Sequence, residues 1–123
     1  MNPWLAVAAL NGFLAVAMGA FAAHGLSGRL DPHALQIFDT AARYHMYHAL
    51  ALGLAAQGKT GASRIAAAFF LAGIVLFSGS LYLLALCAWR PLGFITPFGG
   101  IAFLVGWAAL LVGAMKTPRH SGP

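Results

Sequence analysis

The chain has 123 residues, 61% of them apolar and only 7% charged, with a mean hydropathy of +0.83. Soluble domains carry roughly a quarter charged residues, so this composition excludes an ordinary soluble fold and assigns the chain to a membrane. Seven Lys and Arg against two acids give a net charge of +5, but the bases sit at the ends of apolar blocks, so anionic lipid headgroups rather than nucleic acid are the expected counter-charge.

Four apolar blocks, Trp4 to Ala23, about Thr40 to Gln57, Ile65 to Trp89 and Pro97 to Met115, each approach the ~20 residues that carry a helix across about 30 Å of hydrocarbon. They predict an all-α membrane protein: a single integral membrane domain of four transmembrane helices in a left-handed bundle. No room is left for a separate soluble domain. The lone cysteine, Cys87, permits neither an intramolecular disulfide nor a cysteine-based metal site, and reads as a small apolar side chain.

In the first block Asn2 and Pro3 form a cap-and-proline helix start, with Trp4 at headgroup level. Ala20-Phe21-Ala22 resembles a signal-peptide cleavage site, but the absence of a basic n-region and the long apolar run favour retention as a span. Ala8, Gly12, Ala15, Gly19 and Ala22 recur at alternating steps of four and three and predict a packing seam, because small residues let helices approach closely in lipid. Asn11, beside that seam, is expected to hydrogen-bond across helices. His24-Gly25 predicts a left-handed C-cap.

Asp31-Pro32 signals the second helix, with the aspartate as cap. Its N-terminal segment is amphipathic: Ala34, Leu35, Ile37, Phe38, Ala41 and Ala42 oppose Gln36, Asp39, Thr40 and Arg43. With no breaker to stop it, this segment extends the second span as one helix to about Gln57. Asp39 and Arg43 are spaced for an i, i+4 ion pair. His48 lies one turn beyond Tyr44, and His45 faces another helix. Ionisable groups at membrane depth are candidate functional residues, so His24, Arg43, Tyr44, His48 and, from the third block, Tyr82 are the candidate ligand-binding set. The competing reading makes them structural: arginine snorkels, tyrosine favours interfaces, and neutral histidine bridges helices. A metal or haem site on His45, His48 and His24 is disfavoured, since no second inward carboxylate, cysteine or His-Glu pairing accompanies them. No metal or cofactor is expected.

Gln57 to Arg64 reads as a polar turn. The third block carries Phe77-Ser78-Gly79-Ser80-Leu81-Tyr82, suited to close approach and interhelical hydrogen bonds, and ends at Arg90-Pro91. Thr96-Pro97 restarts a helix with a second seam in Gly99, Ala102, Gly106, Ala109 and Gly113. Two seams imply closely packed crossings near 20°, or a seam reserved for another subunit. The tail from Lys116 to Pro123 reads as polar and mobile. Lys59, Arg64, Lys116 and Arg119 on one side outnumber Arg29 and Arg90 on the other, predicting both termini in the cytoplasm.

Four motifs, GAFAAHGL (Gly19 to Leu26), YHMYHALAL (Tyr44 to Leu52), FSGSLYLLAL (Phe77 to Leu86) and TPFGGIAFLVGW (Thr96 to Trp107), give the chain a resemblance to the YgdD/YwdK-type family of small bacterial inner-membrane proteins, which has mitochondrial relatives. The resemblance implies a four-helix inner-membrane protein of unknown biochemical function. Its motifs fall on Gly19, His24, Gly25, Tyr44, His48, Ala49, Ser78, Gly79, Tyr82, Thr96, Pro97, Gly99 and Gly100. His45 stands where many relatives have glutamine, which argues against a two-histidine site as a family feature.

The leading functional expectation is a structural or accessory membrane protein that associates with itself or with a larger membrane complex. The alternative is a small-molecule or ion binding or transport element built on the polar cluster of the first three helices. A haem-, metal- or quinone-binding redox protein ranks last, and an enzyme is not expected, because no nucleophile, base and orienting group assemble at credible spacing.

Overall fold

The computed structural model describes residues 1–116, so the tail from 117 to 123, with the mobility expected of it and with Arg119, lies outside the described residues. Four long helices make up the described chain, and no strand occurs among the described residues. Helix α1 is Pro3–His24, α2 is Pro32–Gln57, α3 runs Gly61–Cys87 and α4 is Thr96–Lys116. A short 3-10 turn, Arg90–Phe94, joins the last two. Within α3 the α-helical hydrogen bonding gives way to a π-helical stretch at Ile74–Gly79 before resuming at Ser80–Cys87.

Local chemistry explains the helix starts. The Asn2 carboxamide accepts from the Leu5 amide at 3.1 Å and the Asp31 carboxylate from the Ala34 amide at 2.8 Å. Thr60 does the same for α3, accepting from the Ser63 amide at 3.1 Å. Each satisfies an amide that the first helical turn leaves without a partner. The end of α1 departs from the expected left-handed cap: Gly25 keeps right-handed backbone angles, φ −86° and ψ −39°. Glycine is needed there for space, since a Cβ would lie 2.5 Å from the Phe21 ring, and the left-handed residue of this loop is Gly28, φ +82°. At the end of α3 the left-handed position falls on a non-glycine, Ala88, φ 55°.

Three stretches are long and apolar enough to cross a membrane: Pro3–His24, Gly61–Cys87 and Arg90–Lys116. Helix α2 is long enough but carries Asp39, Thr40, Arg43, Tyr44, His45, Tyr47 and His48 in its middle. It is nevertheless the centre of the fold, with α1 on one side and the α3–α4 pair on the other. Antiparallel registers follow from the contacts. Asn2 reaches the carbonyl of Ala56 at 3.1 Å, and Ala8 meets Gly53. Along α4, Gly99, Gly106 and Gly113 meet Phe77, Phe70 and Ser63 of α3 in turn.

The apolar core divides into two clusters. One, near the chain start, joins Ala8, Leu52, Phe70, Ile74 and Phe103. The other, at the opposite end, joins Ala22, Leu26, Phe38 and Ala85. Asn11, His45, His48 and Ser78 lie between them along their helices, and all four are buried.

Candidate functional site

This middle layer contains two hydrogen-bonded chains. In the first, the Asn11 amide donates to the carbonyl of Val7 at 2.9 Å, which leaves its Oδ1 as an acceptor. His45 Nε2–H donates to that oxygen at 2.9 Å, and His45 Nδ1 accepts from the Tyr82 hydroxyl at 3.0 Å. One chain of donors and acceptors thereby stitches α1, α2 and α3. Tyr82 packs against Phe38 with ring centroids 4.8 Å apart and extends along the bundle to reach His45.

In the second chain His48 Nδ1–H donates to the carbonyl of Tyr44 at 2.7 Å, and its Nε2 accepts from the Trp107 indole N–H at 3.1 Å. The imidazole lies flat on Phe103, centroids 3.4 Å apart and planes 7° off parallel. The two histidines, three residues apart, thus hold opposite neutral tautomers, each fixed by a carbonyl acceptor on one nitrogen and a donor on the other. Where α3 becomes π-helical, the fully buried Ser78 donates to the carbonyl of Ala41 at 2.8 Å. Ser80 and Thr96 lie 2.6 Å apart between α3 and α4. Among the described residues no buried side-chain nitrogen or oxygen lacks a partner.

The five candidate residues do not share one cavity. His24 is exposed at the end of α1, away from the layer. Arg43 pairs with Asp39 at 2.9 Å on the outer face of α2, the two side chains 67% and 46% exposed. Tyr44 is exposed beside Tyr47 and packs on Phe77. His48 is buried against Phe103 and Trp107, and Tyr82 bonds to His45. The sequence reading missed Asn11 and His45 as one unit with Tyr82, and missed Trp107 as the partner of His48. The available signal was weak: His45 and Asn11 were both legible as interhelical groups, but only the α1–α2 register makes them meet.

The seam residues also divide. On α1, Ala8, Ala15 and Ala22 are buried, while a Cβ placed on Gly12 or Gly19 would meet nothing within 4 Å. On α4, Gly99, Ala102, Gly106 and Gly113 are buried and Ala109 packs against the core. Among the described residues no group of three His, Cys, Asp or Glu gathers in a way that could hold a metal ion.

One recess touches the first polar chain. A cleft of about 330 Å³ between α1 and α3 is walled by Leu14, Met18, Ile74 and Val75, with Asn11, His45 and Tyr82 along its side.

The chain matches the family model described as a protein of unknown function, DUF423, over residues 18–100. It is 45% identical over 121 residues to the UPF0382 membrane protein YwdK of Bacillus subtilis, covering 94% of this chain and 98% of the relative. The chain belongs to this family. Another UPF0382 membrane protein, from Haemophilus influenzae, is 46% identical over 119 residues, covering 94% of this chain and 96% of its own. The UPF0382 inner membrane protein YgdD of Escherichia coli K12 is 44% identical over 119 residues, with 94% and 91% covered. No solved structure matches. The UPF0382 assignment and the three apolar helices agree on a helical membrane protein.

Proposed function

We propose that this UPF0382 protein is a structural or accessory protein of the bacterial inner membrane, with no catalytic reaction of its own, that acts by helix association and first of all with a second copy of itself. In this reading α2 is a fourth span of a left-handed bundle, and both termini face the cytoplasm. The observation that carries it is the pairing of the polar layer. Both histidines have donor and acceptor satisfied within the chain, so their chemistry is spent on holding four helices in register rather than on a ligand.

The outer face of α2 supports self-association. At 1.5 Å per residue Arg43 lies about 16 Å along α2 from Pro32, well past a headgroup layer if α2 stands beside α1. Charged side chains at such depth avoid lipid and face protein or water. Asp39, Arg43, Tyr44 and Tyr47 form one exposed polar face, and its charges sum to zero. Two copies related by an axis along the membrane normal carry parallel α2 helices, in which Asp39 of one copy stands a turn from Arg43 of the other. The four charges sum to zero, and the contact removes them and the two tyrosines of each copy from lipid.

The test is native mass spectrometry of protein extracted gently from its own membrane, combined with charge reversal. Asp39→Arg or Arg43→Asp alone should abolish the oligomer, and the double reversal should restore it. An unchanged monomer in all three, with wild type also monomeric, would sink the proposal. A second reading rests on the cleft beside Asn11, His45 and Tyr82: a small apolar molecule with one polar group, lying against the Tyr82 hydroxyl. A reproducible non-lipid adduct lost in Tyr82→Phe would favour it.

A further inference from the structure

A recess larger than the cleft beside Asn11 lies away from the polar layer, at the end of the bundle opposite Asn2 and Lys116. Its volume is about 600 Å³, and it opens between the first turns of α2 and the last turns of α3. Its rim is polar: Arg29 from the α1–α2 loop, His33 from α2, and Arg90 from the turn after α3. Its inner wall is apolar, formed by Leu30, Ile37, Leu84 and Ala85. The rim suits the membrane–water boundary, since Trp89, between the lining residues Ala88 and Arg90, is 61% exposed, the placement of a belt tryptophan.

Charge at the rim is unbalanced. Asp31 also lines the recess and caps α2 through the Ala34 amide; its single negative charge leaves the two arginines in excess at the rim. The one ion pair among the described residues is Asp39 with Arg43, so neither Arg29 nor Arg90 has a carboxylate partner. Two guanidinium groups from separate elements therefore overhang a recess whose floor is hydrocarbon. Guanidinium is the side chain best matched to the paired oxygens of a phosphate or carboxylate.

We propose that this recess binds an anionic phospholipid, its phosphate held by Arg29 and Arg90 and the upper part of one acyl chain lying on Ile37 and Leu84. Position, charge and wall chemistry agree on an amphiphile: the site faces the headgroup layer at one end and hydrocarbon at the other. A free phosphate would use the two arginines and leave the apolar wall wet. The site is independent of self-association, because its residues lie on neither the Asp39–Tyr47 face nor the histidine layer.

The experiment uses the full chain in nanodiscs of zwitterionic phosphatidylcholine with about one-tenth anionic phosphatidylglycerol, released into native mass spectrometry. Wild type should retain one phosphatidylglycerol in preference to phosphatidylcholine. Arg29→Gln with Arg90→Gln should lower that preference about thirtyfold, the size expected for two arginines near an anionic surface at about 1 kcal/mol each. Arg64→Gln, a loss of charge at the other end of the bundle, should leave it unchanged. Ile37→Trp should fill the apolar wall and displace the lipid with both arginines in place. Size-exclusion profiles of the arginine variants should match wild type, because Arg29, Arg64 and Arg90 are exposed. Equal retention of the two lipids by wild type would overturn the proposal. So would an equal loss on Arg64→Gln, which marks diffuse charge attraction. Saturable binding of inorganic phosphate that survives Ile37→Trp would overturn the lipid assignment in favour of a soluble anion.

Discussion

On α4 the seam glycines meet another helix at every step, whereas on α1 the seam glycines meet nothing. A Cβ on Gly99 would collide with the backbone of Phe77, one on Gly106 would lie 2.6 Å from the Phe70 ring, and one on Gly113 would touch Thr60 and Ser63. Gly73 of α3 answers from the other side, its missing Cβ leaving room for the Phe103 ring. The α3–α4 interface is thus rings and a widened helical turn set into glycine gaps. Across α1 and α2 the opposing side chains are themselves small, as Ala8 facing Gly53 illustrates, and two shallow recesses of about 240 and 330 Å³ remain along the groove. Besides the packing of Ala22 with Phe38, that interface is fixed by hydrogen bonds, Asn2 to the carbonyl of Ala56 and Asn11 to His45. The same stripe of small residues therefore serves two kinds of contact: van der Waals interlock where the partner face is bulky, and a narrow gap bridged by polar groups where it is not.

The comparison breaks first at Gly99. Gly99→Ala forces backbone against backbone where α3 is π-helical and should cost about 3 kcal/mol, read as the loss of stability in equilibrium unfolding from mixed micelles; a wild-type value would mean that the α3–α4 interface is loose. On the other interface the largest effect belongs to a hydrogen bond. His45→Leu strands Asn11 Oδ1 and the Tyr82 hydroxyl and should cost about 2 kcal/mol. Tyr82→Phe should cost about 1 kcal/mol in wild type and almost nothing in the His45→Leu background. Additive losses in that double-mutant cycle would show that the two side chains do not act as one chain.

Trp107→Phe keeps a ring beside His48 while removing the N–H donor, and a loss of about 1 kcal/mol is expected. Hydrogen exchange should show α4 loosening relative to α2, and unchanged protection would argue against the bond. The smallest effect sharpens the contrast. Gly12→Ala and Gly19→Ala should fall within about 0.5 kcal/mol of wild type or slightly above it, since alanine favours the helix and nothing obstructs its methyl group. A loss as large as that of Gly99→Ala would mean that the α1 glycines face a partner helix tightly after all.

The cap residues Asn2 and Asp31, the uninterrupted run of α2 and the Asp39–Arg43 pair were legible because each depends on neighbours within one helical turn. The α1 cap was read for the wrong reason. Gly25 after His24 suggests a left-handed residue, but what excludes a side chain is the ring of Phe21, whose direction local sequence does not specify. His24, grouped with the polar candidates because it is ionisable and near a span end, lies at the exposed end of α1. His45 and Trp107 fall outside the candidate set for the opposite reason: the spacing of His45 says only that it faces another helix, and Trp107 stands out only as the end of a motif.

Sequence alone determined the membrane environment, the helix starts and the two small-residue stripes, because hydropathy, capping chemistry and 3.6-residue periodicity are properties of a single segment. Tertiary structure decided which stripe is filled and which is bridged, which histidine takes which tautomer, and which two arginines overhang a common recess. Those outcomes depend on the axial register between helices, where a shift of one turn, about 5.4 Å, would break every cross-helix bond while leaving each helix intact.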